Sequence, residues 1–236
     1  MAKSFFITGT GTGVGKTIVT AGIAGFFLSK GKNVSVMKPV QTGTCESVSD
    51  LETIKLIAPG ITPIPKRLAN PYSFSLPASP LLAAESENKK IKTDIILKAF
   101  REISSRTDID VLLVEGAGGL LVPLTDKFLM IDLISEMGIP VILVAAAGLG
   151  TVNHTLLSIE ALKNRNLEIA GIVINKMPRN PGVVEKDNVK TIERLAGIPV
   201  MAVIGDFEFH GKYRKTKDEL ADFAEQTLAA FKDAVF

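Results

Sequence analysis

Cysteine is almost missing from this chain: Cys45 is the only one in 236 residues. That excludes an internal disulfide framework and fits a reducing compartment. Cys45 lies in a Gly-Thr-Cys-Glu loop and reads as an idle surface thiol. Histidine occurs twice, and neither C-x-x-C nor H-E-x-x-H is present, which argues against a zinc site. His154 and His210 lack any accompanying Ser or Cys nucleophile pattern and read as structural or interfacial. Charge of one sign is lacking too. With 27 basic and 25 acidic residues the net charge is only +2, and no basic run or tail occurs, so nucleic acid is not implied. No apolar run approaches the ~18 residues needed to span a membrane. The first strand is entered by residue 4, which leaves no room for a signal peptide. A cytoplasmic protein with no membrane partner is expected.

What is present is an alternation of short apolar runs and amphipathic stretches. Strands are expected at Ser4–Thr8, Asn33–Met37, Asp110–Val114, Val141–Ala145, Ala170–Ile174 and Val200–Ile204. They are rich in Val and Ile and apolar on both faces, as buried parallel strands must be. Helices are expected at Lys16–Ser29, Asp50–Ile57, Thr93–Ser105, Met130–Glu136, Val152–Lys163 and Val184–Leu195, with a last one at about Lys217–Lys232. This order gives a doubly wound, mostly parallel sheet with helices on both faces, in one α/β domain over residues 1–236. Gly138-Ile139-Pro140, Ile169-Ala170-Gly171 and Gly197-Ile198-Pro199 each mark a helix end and a strand start. Six prolines between Pro59 and Pro80 predict a long surface excursion without regular structure. The charged stretch from Asp206 to Lys217 reads as loop.

The glycine-rich stretch Thr8-Gly9-Thr10-Gly11-Thr12-Gly13-Val14-Gly15-Lys16-Thr17 joins the first strand to the first helix. Such a turn frees backbone N–H groups at a helix N-terminus to hold phosphate. Lys16 adds positive charge beside the phosphates, and the Thr17 hydroxyl can bind Mg²⁺. The fold expected is therefore P-loop NTPase-like, with a nucleoside triphosphate as ligand. The loop is a variant, because its first glycine, Gly9, sits one place earlier than the standard spacing puts it. A dinucleotide fingerprint fails: every G-x-G start lacks its third glycine, and the second strand ends in Met37-Lys38 rather than an acid.

Ligands of an open parallel sheet bind beyond the carboxyl ends of the strands. At the second strand's end, Lys38 precedes Pro39-Val40-Gln41-Thr42-Gly43 and would concentrate positive charge near Lys16. The third ends in Glu115-Gly116-Ala117-Gly118-Gly119, with Glu115 where a Mg²⁺-binding carboxylate sits in such proteins. Asp50 is a helix cap or first-turn acid. After the fourth strand, Gly148-Leu149-Gly150-Thr151-Val152-Asn153 is either a second anion-binding helix start or an ordinary turn with Thr151 as N-cap. The fifth ends in Asn175, which could pair with adenine or simply turn the chain.

Taken in order over residues 4–205, these segments, with Asn70-Pro71-Tyr72, resemble the dethiobiotin synthetases. The resemblance implies a ligase of biotin biosynthesis acting on 7,8-diaminononanoate, CO2 (or bicarbonate) and ATP with Mg²⁺, through a substrate carbamate and a carbamic-phosphoric anhydride. It implies Lys16 on phosphate and carbamate, Lys38 on the carbamate and the developing charge, and Thr12 and Thr42 on the reacting end of the substrate. Mg²⁺ would be held by Thr17, Asp50 and Glu115. Gly13, Val14, Gly15, Lys16, Thr17 and Ile18, together with Glu115, Gly116, Ala117 and Gly118, would line ATP, and Asn175 would read adenine. It also implies a homodimer whose site lies at the interface. There Gly150, Thr151, Val152 and Asn153 of one subunit receive the substrate carboxylate held by the other. Two departures stand. Gly13 replaces an acid that members can carry, and Gly205-Asp206-Phe207-Glu208-Phe209 lacks a proline-containing nucleotide contact, so selectivity for ATP over CTP or GTP is not implied.

Two rivals fare worse. Septum-site and partition ATPases carry a signature lysine where this chain has Gly11, and the last helix is too acidic for an anionic membrane. A cobyrinate-type amidotransferase needs a further glutaminase domain with a nucleophilic cysteine.

Overall fold

The structure, a computed structural model, describes residues 1–44, 49–206, 224–231, 234 and 236. The first half comprises β1 (Lys3–Gly9), α1 (Lys16–Ser29), β2 (Val34–Met37), β3 (Val40–Gln41), α2 (Asp50–Ile57), α3 (Lys66–Ala69), β4 (Tyr72–Ser73), α4 (Pro80–Ser86) and α5 (Thr93–Ser104). The second comprises β5 (Val111–Glu115), β6 (Pro123–Thr125), β7 (Phe128–Leu129), α6 (Met130–Met137), β8 (Val141–Ala146), α7 (Thr151–Lys163), β9 (Ile169–Met177), α8 (Val183–Ala196) and β10 (Val200–Gly205).

Six strands form one sheet in the order β10-β9-β8-β1-β5-β2, with every pairing parallel. The expected doubly wound architecture is thus present, and β1 lies at its middle. Strand alternation sends side chains to two cores. Phe5 and Ile7 of β1, Val111 and Leu113 of β5, and Ile142 and Val144 of β8 pack with α1, α2 and Phe231. Phe6, Leu112 and Val114 face the opposite way, toward α4, α5 and α6. Leu143 and Ala145 continue that second face toward α7 and α8. Each fully buried side chain of this kind contributes roughly 1.5–3 kcal/mol.

Helix ends follow local chemistry. Gly138 and Gly197 close α6 and α8 in the left-handed conformation, at φ 61° and 63°. A capping box opens α2: Ser49 Oγ accepts from the Glu52 amide, and Glu52 Oε2 accepts from the Ser49 amide. Asp50 is therefore the first-turn acid, and Ser49 is the cap. Gly150, not Thr151, is the N-cap of α7.

The expectation that residues 59–80 lack regular structure is overturned. They hold α3 and β4, and Pro80 is the first residue of α4, where the missing N–H has no partner to lose. Strand β4 pairs in parallel with β3, so the excursion returns to the chain just after Lys38. The hairpin of β6 and β7 was not expected either. Residues 224–229 are helical, within the expected last helix. Cys45, His210 and the stretches 207–217 and 217–223 lie outside the described residues.

Candidate active site

The phosphate loop is built by burial of Val14 and by the absence of a side chain at Gly9. Thr10 donates its amide to the Val144 carbonyl at 2.9 Å, which pins the loop's start to β8. The chain then folds back so far that a Cβ on Gly9 would lie 2.6 Å from Val14 Cγ2. The displaced glycine thus has a packing reason. Gly15 ends the loop at φ 90° as the N-cap of α1, with no side-chain cap and no acid in the first turn. The amides opening α1 are left for an anionic ligand.

Lys16 is 7 % exposed. Its ammonium donates to the Gly11 carbonyl at 2.9 Å and the Gly118 carbonyl at 2.8 Å. Burial first, and the nearby Lys38 second, lower its pKa to about 8. Lys38 is 3 % exposed, contrary to the usual solvated lysine. It donates to Glu115 Oε1 at 2.8 Å and to the Gly116 carbonyl at 3.0 Å, and pairs with Asp50 Oδ2 at 2.6 Å. Burial alone would depress its pKa, but Glu115 and Asp50 outweigh burial and raise it. Burial likewise works against the Asp50 carboxylate, yet Lys38 holds its pKa below the ordinary value.

Thr17, Asp50 and Glu115, the expected metal ligands, are brought together here. Thr17 Oγ1 donates to Glu115 Oε1 at 2.9 Å. Glu115 is fully buried, and its Oε2 has no hydrogen-bond partner among the described residues. Two carboxylates and a hydroxyl are the oxygen donors that a hard divalent cation takes, so the residues fit one.

These groups line a cavity of about 590 Å³. Thr12, Gly13, Gly15, Lys16, Thr17 and Ile18 come from the loop and α1. Lys38, Thr42, Asp50, Glu115, Ala117, Gly118 and Asn175 come from the carboxyl-terminal ends of other strands and the segments that follow them. Two expected residues serve from behind the lining: Val14 packs beneath Gly9, and Gly116 offers its carbonyl to Lys38. An adjoining cavity of about 1020 Å³ shares Thr12, Thr42, Ala117 and Gly118, and is extended by Pro77, Ala78, Pro80 and Val122. The proline-rich segment therefore walls part of the site. Gly150, Thr151, Val152 and Asn153 do not line either cavity. They open α7, whose N-cap Gly150 sits at φ 89° and whose preceding Gly148 carbonyl accepts from Asn188.

Some contributors were not foreseen. Gln41, Lys176, Gly205 and Asp206 also line the nucleotide-sized cavity. Gln41 Oε1 accepts from the Asp50 amide at 3.2 Å and so orients the start of α2. Its place between Lys38 and Thr42 was the available signal. Asn70 Nδ2 donates to the Lys38 carbonyl at 2.8 Å and the Tyr72 carbonyl at 2.9 Å, fixing the backbone under the buried lysine.

The family model of an AAA domain matches residues 3–207. An ATP-dependent dethiobiotin synthetase BioD from Halalkalibacterium halodurans is 41 % identical over 210 residues, covering 86 % of this chain and 84 % of that protein. One from Thermodesulfovibrio yellowstonii is 38 % identical over 223 residues, covering 86 % and 89 %. Among solved structures, a chain of the MinC:MinD cell division protein complex of Aquifex aeolicus superposes with a TM-score of 0.59 at 16 % identity, over 98 % of this chain and 93 % of that one. That likeness shows the fold alone, a P-loop NTPase-like α/β sheet. With such identity over most of its length, the chain belongs to the ATP-dependent dethiobiotin synthetase family.

Proposed function

We propose that this protein closes the ring of dethiobiotin from 7,8-diaminononanoate, CO2 and ATP, and that one domain over residues 1–236 suffices for each subunit. The observation that carries this reading is the pair of buried lysines, Lys16 and Lys38, on the wall of a cavity whose lining, among the described residues, holds no Cys or His. We read the Thr17 hydroxyl beside Glu115 as a cation donor rather than a nucleophile, and no Cys–His or Ser–His pair occurs among the described lining residues. The site's chemistry suits a substrate that supplies its own nucleophile.

One amine of the substrate and CO2 form a carbamate, whose oxygen attacks the γ-phosphorus of ATP as the bond to ADP breaks. The other amine then attacks the carbonyl of the mixed anhydride, closes the ring and expels phosphate. Anionic carbamate and triphosphate must be held against their repulsion. Lys16 and the amides of the loop do this on the phosphate side, and Lys38 does it for the carbamate. Thr12 and Thr42 hold the reacting end, where the two cavities meet. Thr17, Asp50 and Glu115 would hold Mg²⁺, which when bound neutralises phosphate charge. Pro77, Ala78, Pro80 and Val122 offer an apolar wall for the aliphatic chain. Asn175 reads the base.

The working form is a cytoplasmic homodimer without nucleic-acid or membrane partners. Among the described residues, no helix is long and apolar enough to cross a membrane. A groove lined by Leu120, Leu121, Val122, Leu157 and Ala161 runs to Thr12, and Leu121 and Leu157 are 60 % and 56 % exposed. Such a patch beside a site suits a second copy. That copy's Gly150–Asn153 turn would receive the substrate carboxylate.

The test is a discontinuous assay for phosphate and dethiobiotin. Phosphate release should require Mg²⁺, diaminononanoate and bicarbonate together, with stoichiometric dethiobiotin. ATP turnover driven by lipid or DNA, with no dethiobiotin formed, would sink the reading.

A further inference from the structure

Asn175 has two neighbours to serve. It lies near the end of β9 at the edge of the nucleotide cavity, yet its side chain is only 3 % exposed. Its Nδ2 donates to the Val14 carbonyl at 2.9 Å, across 161 residues of chain. The contact lies directly under Gly15, where any Cβ would collide with that same Nδ2. Gly15 is at φ 90°, the turn from which α1 starts. The tightest point of the phosphate loop therefore rests on the amide of Asn175.

The backbone around Asn175 is fixed as well. Its carbonyl accepts from the Ala147 amide at 2.7 Å, in register with Ala146 of β8. Lys176 follows at φ 59°, a left-handed conformation that a lysine seldom adopts. The strand is thus irregular immediately past Asn175, although Met177 still pairs with Gly205 of β10. A primary amide carries two N–H donors and one acceptor oxygen. Val14 takes one N–H, which leaves the other N–H and Oδ1 for a ligand that enters the cavity beside Asn175. A purine amine and its adjacent ring nitrogen complement that remaining pair.

We propose that Asn175 is a positioning residue for the phosphate loop as well as a reader of the base. A base bound on its outer edge holds the amide in place, and the amide holds the Val14 carbonyl. The loop amides are then aimed at the phosphates. Base recognition and phosphate cradle form one hydrogen-bonded unit, and the two halves of a nucleotide should favour each other's binding. The proposal rests on the nucleotide reading given above.

Calorimetry on the full chain with Mg²⁺ tests it with three probes: ATP, inorganic tripolyphosphate and adenosine. In the wild type, saturating adenosine should tighten tripolyphosphate binding about fivefold, and tripolyphosphate should tighten adenosine by the same factor, as linkage requires. Asn175→Ala should weaken tripolyphosphate about tenfold and abolish the coupling. Asn175→Asp should do the same, since a carboxylate has no N–H for Val14. Tripolyphosphate bound by Asn175→Ala as tightly as by the wild type would overturn the positioning role and leave the ATP reading intact. Lack of coupling in the wild type would overturn it too, and that measurement needs no variant to fold. A wild type that binds neither ATP nor tripolyphosphate would overturn the proposed function and this inference together.

Discussion

Lys38 and Glu115, 77 residues apart, meet at 2.8 Å with both side chains almost wholly removed from water. Asp50 makes the second contact on the same ammonium, at 2.6 Å. The lysine is a fixed positive charge between two carboxylates that would otherwise face each other. Lys38→Gln removes the cation and leaves both acids. Breaking a buried pair on one side costs about 3–5 kcal/mol. Dethiobiotin formation should vanish, and ATP binding should largely survive. Thermal melts in EDTA and in Mg²⁺ check the electrostatics: Mg²⁺ should raise the midpoint of the variant more than that of the wild type. Equal responses would contradict this account.

Lys16 carries the pH dependence. Burial and Lys38 lower its pKa from 10.5 to about 8, so the fold favours the neutral amine. Between those two values the unfolded chain holds the extra proton, and stability should rise with pH across that window. The cost of the buried charge is fully present below about pH 8. A triphosphate draws the proton back, so ATP binding at pH 8 should take up about half a proton. Binding heats in buffers of different ionisation enthalpy measure this, and a heat independent of buffer would refute it.

Asn70 supports the lysine from below. Asn70→Ala leaves the Lys38 and Tyr72 carbonyls without their amide donor, at a cost of about 1–3 kcal/mol. We expect kcat to fall about tenfold or more while the Kd for ATP changes little, because Asn70 touches the segment that carries Lys38 and not the phosphate loop. A selective loss of ATP affinity would place its role elsewhere.

Leu121 and Leu157 test the dimer. Both are well exposed, so Leu121→Glu and Leu157→Glu should fold normally. Sedimentation velocity should show a monomer, with activity falling in step. A dimer that persists in the double variant would move the interface away from this face.

Much of the architecture was legible because buried parallel strands and glycine-ended helices leave strong local signals. Helices α1 and α2 have the expected bounds, and each sheet strand falls within a few residues of its place. The Pro59–Pro80 segment misled because proline breaks a helix interior but favours its first turn, and Pro80 occupies the latter position. The phosphate loop, Glu115 and Thr17 were recognisable by motif. The burial of Lys38 was not, since it depends on Asp50, Glu115 and the Gly116 carbonyl converging from three segments. The second duty of Asn175 was equally hidden. Nothing in Ile-Asn-Lys announces a bond to a carbonyl near the other end of the chain.

The central place of β1 bears on how the molecule is made. Its partners are β5, where Lys3 meets Val111, and β8, where Gly9 meets Val144. Strand β1 leaves a ribosome before both partners and waits for roughly half of the 236 residues before its first edge can be paired. Until then Phe5, Phe6 and Ile7 remain an uncovered apolar strand, the kind of segment that aggregates or recruits chaperones. Folding should be slow and limited by closure of these long connections, and the phosphate loop should acquire its shape only when β8 docks. Nucleotide binding would then report completion of the sheet, appearing late in synthesis and all at once.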